Sequence, residues 1–159
     1  MNKDYKLLIV GRGNNKPYRK LAKRLNLQDK VIFAGYLNYI EKIYGASDLL
    51  VLPTLYDPFS NVCLEAMASG IPVITSKKNG ASEVVSQVDK KVILKNPRDD
   101  FEIAKKIEMF FSQTFKEKVQ KLSRTVTEQY SIEESYGKVL QIYEKINEKN
   151  KNSFNKTIL

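Results

Sequence analysis

The chain has 159 residues, a net charge of +9 and a hydrophobic fraction of 42%, with one cysteine and no histidine. Without histidine there is no Ser-His-Asp triad and no histidine general base. A lone Cys63 cannot form an intrachain disulfide, and the usual zinc ligand sets are missing. No run approaches the roughly 18 apolar residues that span a bilayer, and the start Met-Asn-Lys-Asp-Tyr-Lys lacks signal-peptide order. A cytoplasmic location is therefore expected.

The first predicted strand covers residues 5–10 and leads into Gly11-Arg12-Gly13-Asn14. Glycines in such a turn allow a ligand to approach the backbone closely. Lys16 breaks the full dinucleotide fingerprint, however, so an ordinary strand-to-helix turn reads equally well. A helix is predicted over 16–26, with Lys16, Arg19, Lys20, Lys23 and Arg24 on one side and Tyr18, Leu21, Ala22 and Leu25 on the other. The basic side reads as a solvated face, with peripheral contact to the inner face of the cytoplasmic membrane as the alternative. No RNA-binding aromatic motif or helix-turn-helix pattern is present, so no nucleic-acid partner is expected.

Further strands are predicted at 30–34, 48–52, 72–75 and 91–94, alternating with helices at 38–46, 60–69 and 80–86. The strands are nearly continuously apolar, the pattern of strands buried on both faces of a parallel sheet. Three closing helices follow at 99–111, 114–129 and 132–148, the last with a stripe of Tyr136, Val139, Leu140, Tyr143 and Ile146. Residues 149–159 read as a frayed polar tail. The economical fold is one α/β domain over 1–148, with a Rossmann-like parallel sheet of about five strands flanked by helices.

Ligands of open α/β sheets bind beyond the carboxyl ends of the strands. After the third strand, Ser60 is a predicted N-cap for a helix that ends at Gly70 and Pro72. The start of that helix offers free N–H groups to an anion. Glu65 is its only charged residue, surrounded by Val62, Cys63, Leu64, Ala66 and Met67. A carboxylate on a mostly buried helix needs partners. It reads as an acceptor for a polyol such as ribose, or else as a buried ion pair or an exposed edge. The loop after the fourth strand, Ser76-Lys77-Lys78-Asn79-Gly80-Ala81-Ser82-Glu83, joins glycine, small polar residues and a carboxylate. By itself it could be a plain capped loop.

Taken in order, these segments resemble the nucleotide-binding domain of family-four retaining glycosyltransferases, which have the two-Rossmann-domain GT-B architecture. The matching pieces are Lys6-Leu-Leu-Ile-Val-Gly, Leu21-Ala-x-x-Leu, Val31-Ile-Phe-Ala-Gly35, Ala46-Ser-Asp48 and Pro53. The most diagnostic stretch is Asp57-Pro-Phe-Ser-Asn-Val-Cys-Leu-Glu65-Ala-Met-Ala-Ser-Gly-Ile-Pro-Val, followed by Asn79-Gly-Ala-Ser-Glu83.

The resemblance implies a nucleotide-sugar donor, transfer with retention and no metal or other cofactor. It implies that Glu65 binds the ribose hydroxyls and that Asp57, where the family has glutamate, holds hydroxyls of the donor sugar. Backbone amides of Ser60, Asn61 and Val62 would take the diphosphate. Gly11, Arg12, Gly13, Tyr36 and Leu37 would contact the donor, the last two facing its base. The acceptor would be a glycan or lipid-linked sugar of bacterial surface polysaccharide or lipopolysaccharide, presented by an N-terminal domain. Neither that domain nor the family's first βα unit is expected in this chain. Two other readings stay open: a non-catalytic nucleotide-binding remnant, and a basic module that contacts membrane or nucleic acid.

Overall fold

The structure, a computed structural model, describes residues 5–110 and 112–156, with side chains described as far as Glu148. The chain divides into two compact units, Met1–Ile43 and Tyr44–Leu159.

The first unit is a βαβ element. Strand β1 (Leu7–Val10) and strand β2 (Val31–Gly35) pair in parallel, from Leu7 opposite Val31 to Val10 opposite Gly35, with an irregularity after Ile9. Parallel neighbours require a crossover, here helix α1 (Lys16–Arg24). Pro17 sits in the first turn of α1, where its missing N–H costs nothing. The helix closes on Asn26, whose φ of +55° is left-handed. Leu27 N–H donates to Ala22 O at 2.8 Å and Asn26 N–H to Lys23 O at 3.1 Å, the paired hydrogen bonds of a Schellman stop. The expected apolar side of α1 is covered only at Ala22, since Tyr18, Leu21 and Leu25 stay exposed.

The second unit holds strands β3 (Leu50–Leu52), β4 (Val73–Ser76) and β5 (Ile93–Leu94), all parallel in the order β3-β4-β5. Helix α2 (Ile40–Gly45) crosses the boundary between the units. Helices α3 (Asn61–Ala68), α4 (Ser82–Val88), α5 (Asp100–Met109), α6 (Gln113–Thr127) and α7 (Ile132–Lys156) complete the chain. The core joins Cys63, Ala66 and Met67 of α3, Val73 and Ile74 of β4, and Val84, Val85 and Val88 of α4. Helix α6 covers α3 and α4 and contributes Val119. Gly70, at φ +76°, ends α3. A Cβ there would lie 2.6 Å from the Arg124 guanidinium of α6.

The expected α/β fold of parallel strands flanked by helices is present, with β1 and β2 paired in the first unit and β3, β4 and β5 in the second. Two other expectations are corrected. Burial on both faces holds only for β4, the middle strand of its sheet; β1, β2 and β3 are largely half-buried. The polar tail expected from 149 is helical as far as Lys156, because nothing in that stretch breaks a helix, and residues 157–159 lie outside the described residues. The stripe on α7 is present, with Ile132, Tyr136, Val139, Leu140, Tyr143 and Ile146 exposed. Among the described residues no helix is long and apolar enough to cross a membrane.

Candidate functional site

In the second unit, the loops that leave the carboxyl ends of β3 and β4 are locked to each other. Asp57 N–H donates to Lys78 O at 3.2 Å and Gly80 N–H to Asp57 O at 3.0 Å, a parallel bridge centred on Asp57 and Asn79. The approach is so close that a Cβ on Gly80 would lie 1.8 Å from Pro58 O. Only glycine fits that position.

Asn79 holds the centre of the lock and is 1% exposed. Its Oδ1 accepts from Ser60 N–H at 3.2 Å and Ala81 N–H at 3.1 Å. Its Nδ2 donates to Thr75 Oγ1 at 2.9 Å and to Cys63 Sγ at 3.6 Å. One carboxamide thus uses both its donors and its acceptor to tie β4 to the starts of α3 and α4. Burial pushes the Cys63 thiol up to about 11, against the opposing pull of hydrogen bonds with Thr75 and Asn79, so it is an inert packing group.

Asp57 and Ser60 brace the same turn. Asp57 Oδ1 accepts from Phe59 N–H at 3.0 Å, and Oδ2 accepts from Ser60 Oγ at 2.5 Å. Ser60 is the N-cap by position, with an extended backbone, but its side chain makes no capping bond because it is committed to Asp57. Its amide points inward to Asn79. Of the three amides expected to meet a diphosphate, Ser60 is therefore already engaged. Asn61 and Val62 are the first two residues of α3 and both are exposed; N–H groups at those positions have no partner inside the helix and carry its positive partial charge.

Glu65 lies one turn further along. Of the settings left open for its carboxylate, the structure shows the exposed edge. Helix α3 buries Cys63, Ala66 and Met67 but leaves Asn61, Val62, Glu65 and Ala68 exposed along one face. Glu65 stands on that open face. Its Oε2 accepts from Tyr44 Oη–H at 2.9 Å, and Tyr44 is 6% exposed. Lys77 and Lys78 emerge exposed just beyond β4, and Glu83 is exposed in the first turn of α4.

The first unit brings its own predicted residues together. Gly11 and Gly13 have φ of +140° and +154°, a backbone that other residues rarely adopt. Gly11 N–H donates to Gly35 O at 2.8 Å, which sets the glycine turn beside Tyr36 and Leu37. The Arg12 guanidinium lies 4.4 Å from the centre of the exposed Tyr36 ring.

A hollow of about 480 Å³ lies elsewhere in the second unit, along α5, lined by Lys91, Lys95, Glu102 and Lys106 among others. Its carboxylates are already occupied: Glu102 accepts from Lys95 N–H at 3.0 Å and Asn96 N–H at 3.0 Å, and Asp99 accepts from Glu102 N–H at 2.9 Å. Among the described residues no three His, Cys, Asp or Glu side chains gather closely enough to hold a metal ion.

The second unit is thus an α/β unit of parallel strands flanked by helices, with an exposed carboxylate and open helix-start amides beyond its strand ends. The profile of the family described as "Glycosyl transferases group 1" matches residues 1–129, and the chain belongs to that family. An uncharacterised glycosyltransferase of Methanocaldococcus jannaschii is 40% identical over 83 residues, covering 50% of this chain and 21% of that protein. Sucrose-phosphate synthase from Thermosynechococcus elongatus superposes with a TM-score of 0.80 at 26% identity, over 89% of this chain and 38% of that one. HepE from Anabaena, solved with UDP-glucose, has a TM-score of 0.70 at 27% identity, over 78% and 36%. Further Escherichia coli relatives are a lipopolysaccharide glucosyltransferase, 26% identical over 91 residues (57% of this chain, 24% of that protein), and a UDP-Gal:alpha-D-GlcNAc-diphosphoundecaprenol alpha-1,3-galactosyltransferase, 36% identical over 78 (48% and 20%). This chain spans well under half the length of each of these proteins.

Proposed function

We propose that this chain is the donor-binding part of a retaining glycosyltransferase that takes a nucleotide-sugar and passes its sugar to a glycan or lipid-linked acceptor. The observation that carries the reading is the open face of α3, where the first-turn residues Asn61 and Val62 and the carboxylate of Glu65 share one exposed surface. Four helical residues advance about 6 Å, so a diphosphate at the helix start leaves the ribose hydroxyls to reach Glu65. Preorganised amides would stabilise the charge that develops on the leaving diphosphate, with no reorganisation at the moment of reaction. Asp57 uses two of roughly four acceptor positions inside its own turn, and the other two remain for hydroxyls of the donor sugar. The Gly11–Arg12–Gly13 turn and the Tyr36-Leu37 segment of the first unit are proposed as separate donor contacts.

The Escherichia coli relatives and the UDP-glucose held by HepE support a surface-glycan role and a nucleotide-sugar donor. Transfer itself is proposed for the whole protein of which a chain of this span would form part. A second reading, nucleotide binding without transfer, is favoured by the internal bracing of Asp57, which limits its grip on a sugar.

A thermal-shift panel of UDP-, GDP- and ADP-sugars separates the readings. One nucleotide class should stabilise the chain by about 2.7 kcal/mol at a hundredfold excess over Kd. A sugar-linked donor bound more tightly than its bare diphosphate supports transfer; equal affinity supports binding alone. No stabilisation by any member contradicts both.

A further inference from the structure

Tyr44 belongs to none of the motifs that the sequence offered, yet its hydroxyl donates to the carboxylate on the open face of α3 at 2.9 Å. The ring is 6% exposed, so its direction is fixed by packing. Burial first, then the hydrogen bond to Glu65 and the field of that carboxylate, raises the phenol above the ordinary tyrosine range. It therefore remains protonated, and remains a donor, at any pH at which the protein works. Glu65 by contrast is exposed at the end of a flexible side chain, and the last torsion of a glutamate is broad and poorly defined on its own.

We propose that Tyr44 is a positioning residue: its buried hydroxyl orients the Glu65 carboxylate toward two vicinal hydroxyls, so that the site selects ribonucleotides over 2′-deoxyribonucleotides. The proposal rests on the reading of Glu65 as the ribose-binding group. A carboxylate offers about four acceptor positions. The phenol occupies one on Oε2 and fixes the plane of the group, which leaves outward-facing positions on both oxygens. Two hydroxyls on adjacent carbons fill that pair, whereas a 2′-deoxyribose fills one. Ordering the carboxylate before the ligand arrives also removes a cost that binding would otherwise bear.

The test titrates the full chain with UDP, GDP and ADP and their 2′-deoxy counterparts by calorimetry, in the wild type, Tyr44→Phe, Glu65→Gln and the double variant. Tyr44→Phe keeps the ring in the core and removes only the hydroxyl. The wild type should prefer one ribonucleotide over its deoxy form by about tenfold or more, as loss of a charged hydrogen bond implies. Tyr44→Phe should weaken the ribonucleotide about threefold to tenfold and the deoxy form less than about twofold, so that the ratio falls. Glu65→Gln should collapse the ratio, and adding Tyr44→Phe should then change it no further. A merely structural Tyr44 would lower the melting temperature or weaken both ligands alike, and an unchanged ratio in Tyr44→Phe overturns the proposal alone. Equal binding of ribo and deoxy forms by the wild type removes the ribose role of Glu65. Binding of no nucleotide at all removes the donor reading, and this inference with it.

Discussion

The two loop systems that the sequence singles out are held in different ways. In the first unit, the Gly11–Asn14 turn rests on glycine backbone angles, one hydrogen bond from Gly11 N–H to Gly35 O, an Asx contact in which Asn14 Oδ1 accepts from Lys16 N–H, and an exposed stack of Arg12 on Tyr36. In the second, the loops after β3 and β4 are closed by Asn79, Asp57, Ser60 and the glycine contact at Gly80, with Asn79 and Ser60 buried. The first arrangement can adjust to a ligand at small cost. The second is rigid before any ligand arrives, as a set of amides must be if it is to stabilise charge without reorganising.

Glycine-to-alanine substitutions test that contrast most sharply. Gly80→Ala forces a Cβ into the backbone carbonyl of Pro58 and should cost at least about 3 kcal/mol in urea unfolding, or abolish folding. Gly13→Ala meets nothing within 4 Å and should cost only the strain of its backbone angle, about 1–3 kcal/mol. Equal losses at the two positions would erase the distinction between the loops. Asn79→Ala comes next, because it leaves the buried Ser60 and Ala81 amides without their acceptor; about 2–3 kcal/mol should be lost in the same assay. Arg12→Ala should be the mildest, about 0.5–1 kcal/mol, since its stack on Tyr36 is exposed.

The second unit should also be the acid-sensitive one. Burial pushes the Glu102 and Asp89 carboxyls up. For Glu102 this is outweighed by the Lys95 and Asn96 amides and by Lys106, and for Asp89 by the Lys91 amide and Lys118, so both end below their usual range. A carboxyl whose pKa is lower in the folded state stabilises fully above its unfolded value, and that contribution fades as pH falls through the folded value. Melting temperature should therefore be flat near neutrality and drop below the ordinary carboxylate range. Glu102→Gln should lower the plateau and shrink the drop, and a variant with an undiminished acid drop would remove Glu102 from this account.

Much of this was legible in the sequence. The apolar run at β4, the alternation of strand and helix patterns, and the stop at Gly70 and Pro72 all survive, because each is a local signal. Asp57 and Glu65 also fall in the expected loop and helix. What stayed hidden depends on contacts between distant segments. Tyr44 meets Glu65 across 21 residues and Asn79 meets Ser60 across 19, and one sequence carries no record of such pairs. Glu65 occupies the exposed edge, one of the alternatives its apolar neighbours left open, because a short helix is covered on one face only. Pairing of five strands into two sheets was likewise beyond any local pattern.

On the proposed function, the exposed face of α3 binds a nucleoside diphosphate through Glu65. Calorimetric titration of UDP, the nucleotide part of the ligand held by HepE, into the wild type and Glu65→Gln tests it most directly. The substitution should weaken binding by about 1.5–3 kcal/mol, the worth of hydrogen bonds to a charged group, with little change in melting temperature because Glu65 is exposed. Equal affinity in the two proteins would contradict the claim.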